Sequence, residues 1–133
     1  MSEPDTFDVR IETSFQARHC LGPDGENAAE HEHDWRVAVQ ASSTELDRIS
    51  LVVDFRKLRV QTEESLDELR GAVLEEHADF DGYPASARAV ACWLLRRLTQ
   101  KNLGETYRIS AVEVGCDRGV DYIVSVATGG CPP

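Results

Sequence analysis

Phe7, Val9, Ile11, Thr13, Phe15 and Ala17 alternate with more polar residues, the two-residue period of a half-buried strand, which predicts a strand over 6–19. Leu21 to Gly25 is turn-rich. Trp35, Val37, Val39 and Ala41 alternate again and give a second strand. After Asp54 the period changes: Phe55, Leu58, Thr62, Leu66, Leu69, Val73 and His77 recur at steps of three and four, one face of a long amphipathic helix. Gly82, Tyr83 and Pro84 break it, and Ser86 is placed to cap a second helix carrying Val90, Trp93, Leu94 and Leu98. That helix is expected to end near Asn102 to Gly104. Two more strands are predicted at about 106–114 and 120–127. The order is ββααββ, an α+β chain with a four-stranded antiparallel sheet and two helices on one face. Its unpaired edges invite another subunit.

At 133 residues the chain fits a single domain, with a core over about 7–127 and a loose tail at 128–133. The balance of 24 acidic against 14 basic residues, net −10, disfavours nucleic acid and anionic lipid as partners. No apolar run approaches the roughly 20 residues that span a bilayer. The acidic start, Met1 to Asp5, lacks the character of a signal peptide, so a cytoplasmic location is expected. Cys20, Cys92, Cys116 and Cys131 form no C-x-x-C pair and are expected to be reduced thiols.

His31 and His33 are two apart, so on a strand both leave the same face, with α-carbons roughly 6.6 Å apart. His19 has the parity of Phe15 and Ala17, and His31 and His33 have that of Trp35 and Val37. If the two strands pair, three imidazoles meet near the strand ends. Three histidines plus an open position are a catalytic zinc arrangement. Taken alone, an H-x-H pair reads equally well as a surface feature.

Phe15, Ala17 and His19, then His31 and His33 opening the second strand, then Val53, Asp54 and Phe55 entering a helix, resemble the 6-pyruvoyl-tetrahydropterin synthase family, which includes the 6-carboxytetrahydropterin synthases. The resemblance runs from about residue 7 to 126. It implies the tunnelling fold, with trimers whose sheets close into a barrel, two trimers stacked as a homohexamer, and active sites between subunits. It implies Zn²⁺ held by His19, His31 and His33, and a pterin-like small molecule as substrate. Glu113, in the pattern Ile109, Ala111, Glu113, matches a glutamate that anchors the pterin ring, and is expected to share the face of Ile109 and Ala111. Ser86 matches a threonine that touches the pterin, and can serve as N-cap as well. Where the family has glycine between the histidines this chain has Glu32, which could crowd the site, turn to the opposite face or add a carboxylate.

Other positions depart from the pattern. The family's catalytic cysteine, four residues before H-x-H, is Asn27, which cannot carry a proton as a thiol does. Glu26 lies beside it and is a candidate catalytic residue. The family's Asp-His relay falls on Arg70 and Gly71 counted without gaps, or on the neighbourhood of His77 counted from the second helix. A glutamate expected after the threonine is Arg88, which could meet a ligand carboxylate or phosphate. The resemblance therefore implies either a zinc-dependent lyase acting on a pterin-like substrate without the standard synthase reaction, or a non-catalytic protein that binds a pterin- or purine-like ligand beside a vestigial metal site.

Overall fold

The alternating segments pair as a long hairpin, β1 (Phe7–Leu21) against β2 (Asn27–Ser43). The structure, a computed structural model, describes residues 7–21, 27–43, 55–80, 85–101, 108–118 and 121–127. Helix α1 (Phe55–Asp67), two 3₁₀ turns (Leu74–Glu76 and Ala78–Phe80) and helix α2 (Ala87–Gln100) follow. Strands β3 (Arg108–Arg118) and β4 (Asp121–Ala127) complete an antiparallel sheet of order β1-β2-β3-β4. This is the expected α+β, ββααββ architecture.

The two-residue period decides which side chains are covered. In β1, Ile11, Phe15, Ala17 and His19 are buried while Arg10, Glu12, Ser14 and Gln16 are exposed. In β2, Trp35, Val37, Val39 and Ala41 share the buried face, joined by Val112 and Val114 of β3. Leu58, Leu66 and Leu69 from α1 and its exit, with Val90, Leu94 and Leu98 from α2, close one core against that face. Ser86 caps α2 as expected: the Ala89 N–H donates to its Oγ at 3.1 Å.

Three expectations are corrected. The first helix does not run to His77 but stops at Asp67. Gly71 takes a φ of +70°, its N–H donates to the Gln16 carbonyl at 2.8 Å, and the Arg18 N–H donates to the Ala72 carbonyl at 2.9 Å. Val73 then bridges Arg18. Residues 71–73 thus line part of the β1 edge that was expected to be unpaired. The second correction concerns register. A shift between Gln40 and Ala41 pairs Ile109 with Ala41 and Ala111 with Gln40, so Glu113 shares a face with Ala111 but not with Ile109. Third, Cys92 is disulfide-bonded, whereas Cys20 is a free thiol. Among the described residues no helix is long and apolar enough to cross a membrane.

Candidate metal centre

The register of the hairpin builds the site. His19 lies directly opposite His31, and His33 lies opposite Ala17, so all three imidazoles leave the sheet on its core side near one end of the hairpin. Their ring centroids are 4.5, 4.9 and 4.6 Å apart. One ligand nitrogen from each lies within 4.8 Å of the others. Tetrahedral zinc with bonds near 2.05 Å needs about 3.3 Å between such atoms. Binding such an ion would draw the three nitrogens inward.

The surroundings fix the rings in a form that suits a metal. His19 Nδ1 donates to the Ala85 carbonyl at 2.9 Å and His31 Nδ1 donates to the Ala29 carbonyl at 2.8 Å, because a carbonyl can only accept. The neutral ring then carries its lone pair on Nε2, the arrangement in which metal-bound histidines are commonly held. The His19 Nε2 atom is buried. Trp35, fully buried, stands edge-on to His19 and His33 with centroids 5.0 and 6.0 Å away. It is itself held by stacking on Phe15 and by Nε1–H donation to the Ala17 carbonyl at 3.2 Å. His31 and His33 are only half-buried, which leaves an approach from solvent. The donor set and its backbone partners therefore fit a divalent metal such as zinc.

Glu32 resolves among its three alternatives. It lies opposite Arg18 in the strand register, points to the outer face and is exposed, so it neither crowds the site nor joins it.

Glu75 was not singled out by the sequence. Its carboxylate accepts from the Cys20 N–H at 3.0 Å and from the Ala85 N–H at 3.3 Å. It thereby ties the residue after His19 to the residue whose carbonyl holds His19. Both partners are main-chain groups distant in sequence, so no local spacing could have pointed to it. Burial and the nearby Glu75 push the Cys20 thiol up, which disfavours the thiolate.

The remaining candidates are dispersed. Ser86 follows Ala85 at the start of α2, and Arg88 is exposed on the first turn. Glu113 lies opposite Ala38 on the outer face, away from the histidines, where Arg10 Nη1 pairs with it at 2.8 Å. Hydrogen bonds to Glu113 and Glu12 push the Arg10 guanidinium pKa up. These residues and Arg36 line an outer cleft of about 430 Å³.

His77 packs against Phe80 and Trp93, accepts from the Asp79 N–H at Nδ1, and lies 3.4 Å from Glu68. Arg97 completes this latch by donating to Glu68 and Asp79, 3.0 Å each, above the Trp93 ring. Arg70 pairs with Glu63 and Asp67 and donates to the Ser14 carbonyl at 3.1 Å, fastening α1 to β1. Asn27 opens β2 opposite Leu21. Glu26 and Asp54 lie outside the described residues.

The chain is similar in structure to 6-pyruvoyl tetrahydropterin synthase from Caenorhabditis elegans, with a TM-score of 0.75 at 17% identity over 98% of this chain and 100% of that one. A catalytic-residue mutant of the Plasmodium vivax 6-pyruvoyltetrahydropterin synthase superposes with a TM-score of 0.67 at 14% identity, covering 93% of this chain and 99% of that one. An uncharacterised protein from Wolinella succinogenes gives 0.68 at 17% identity, covering 93% and 98%. No curated protein matches by sequence search. The sequence profile of 6-pyruvoyl tetrahydropterin synthase, however, matches residues 8–122, most of the hairpin, both helices and the third strand included. With the fold and the profile in agreement, the chain belongs to the 6-pyruvoyl tetrahydropterin synthase family.

Proposed function

We propose that this protein is a divergent, zinc-binding member of its family that acts on a pterin-like heterocycle without the standard synthase reaction. The observation that carries the reading is the convergence of His19, His31 and His33, two of them with Nδ1 committed to a backbone carbonyl. Bound zinc would act as a Lewis acid toward a carbonyl or hydroxyl of the ligand. Glu113 anchors the aminopyrimidine edge by accepting two N–H bonds. Ser86 and Arg88, at the start of α2, are the further ligand contacts in this reading, Arg88 toward a carboxylate or phosphate. Glu113 and the histidines stand on opposite faces of one sheet, so a shared ligand requires a second copy, which a homohexamer made of two trimers would supply. Asn27 in the cysteine position removes the usual proton carrier, and His77 and Glu26 are the residues proposed to move protons in a variant lyase reaction.

Incubation of the zinc-loaded protein with dihydroneopterin triphosphate, followed by mass spectrometry, tests the enzyme reading. It expects a product other than that of the standard synthase, and no turnover of any dihydropterin triphosphate would sink it. A second reading, a non-catalytic pterin- or purine-like ligand binder, is favoured by Arg70, whose guanidinium fastens α1 to β1 at a position where the resemblance expects an acid of the proton relay. Binding by calorimetry without turnover would select it.

A further inference from the structure

We infer that Glu75 is a positioning residue for the metal centre, setting the orientation and tautomer of His19 through the backbone of Ala85. The inference rests on His19, His31 and His33 forming a metal site. The register shift after His19 leaves Cys20 without a cross-strand partner in β2, so its N–H is available to another acceptor. Glu75 Oε1 takes it at 3.0 Å, while Oε2 takes the Ala85 N–H at 3.3 Å. One carboxylate therefore locks the end of β1 to the residue that leads into α2. The His19 Nδ1 to Ala85 carbonyl bond crosses the same junction. That bond keeps the proton on Nδ1 and the lone pair on Nε2.

Only a full-length carboxylate satisfies both donors. Glutamine offers one oxygen and sets its NH₂ against the other N–H, and aspartate is one methylene too short to span the two. Glu63 provides a matched control. It too is a partly buried carboxylate joining two elements, since Thr13 Oγ donates to it at 2.5 Å and Arg70 pairs with it, but it serves the α1–β1 contact.

The test measures zinc affinity by competition with a chromophoric chelator for the full chain, E75Q, E75D and E63Q. Thermal unfolding of each metal-free chain and imidazole ¹⁵N spectra accompany it. Groups that orient metal ligands are commonly worth 10–100-fold in affinity. E75Q and E75D should lose about tenfold, the low end of that range. E63Q should bind as the unmodified chain does even where its unfolding temperature falls as far. In metal-free E75Q the His19 spectrum should shift from pure Nδ1–H toward a mixture of tautomers. Unchanged zinc affinity in E75Q overturns the inference alone. So does full affinity in E75D, which would assign the effect to charge, or an equal loss in E63Q, which would assign it to general stability. An unmodified chain that binds no zinc overturns the metal site and this inference together.

Discussion

Replacing His33 by alanine separates metal binding from folding. His33 is half-buried, faces Ala17 across the hairpin and meets Trp35 only edge-on at 6.0 Å. Its removal should cost the metal-free chain about 1 kcal/mol or less. His19 is a poorer probe, because it is buried and bonded to Ala85, so its loss would weaken the fold directly. With zinc at a thousand times the dissociation constant, binding adds about 4.1 kcal/mol to the stability of the unmodified chain. Losing one of three ligands should cost at least ~100-fold, the upper end of the range for groups that merely orient ligands. Zinc then exceeds the dissociation constant only about tenfold and contributes about 1.4 kcal/mol. For 133 residues the unfolding entropy converts the missing ~2.7 kcal/mol into about 10 °C. Differential scanning fluorimetry with and without zinc reads both numbers. A zinc-induced shift in H33A equal to that of the unmodified chain would refute the ligand assignment.

Thr62 is fully buried and its Oγ1 has no hydrogen-bond partner among the described residues, so T62V should raise stability by about 1 kcal/mol, read as a higher urea midpoint at constant m-value. Gly71 has φ +70° with open space where a Cβ would stand, so G71A should cost about 1–2 kcal/mol from backbone strain alone; an unchanged urea midpoint would contradict this. R10A should release Glu113 and raise calorimetric affinity for a pterin by less than about fivefold, since the pair is partly exposed. A loss of affinity instead would move recognition from Glu113 to Arg10.

The hairpin and its histidines were legible because parity and pairing suffice to define them. Once β1 and β2 are antiparallel with one face covered, a side chain's side follows from counting. Counting failed where a non-local contact intervened. The apolar stripe through Leu69 and Val73 has helical spacing and Leu69 is buried, but the backbone there is drawn onto β1 by Gln16 and Arg18. Nothing in the local pattern records those partners. The bulge beside Ser110 likewise puts Ile109 and Glu113 on opposite faces despite their shared parity, and Glu75 leaves no local signal because it binds main-chain N–H groups.

The geometry of a single chain also limits how its two best recognition elements can cooperate. Glu113 pairs with Ala38, five residues along β2 from His33, which is roughly 16 Å on an extended strand. The two groups also leave opposite faces of the sheet, with the core packed behind the histidine face. A bicyclic ligand cannot reach around that distance to touch both. Either Glu113 has no part in recognising whatever meets the metal, or the outer face of one copy is brought against the hairpin end of another. The outer face suits the second arrangement. It is polar, it carries the Arg10–Glu113 pair in an open cleft, and its charges alternate in sign from Asp8 to Glu12 in β1 but are acidic at Glu30, Glu32 and Asp34 before Arg36 in β2. In that arrangement Arg10 would be the group a ligand must displace from Glu113, so ligand affinity and assembly of the site would depend on the same ion pair.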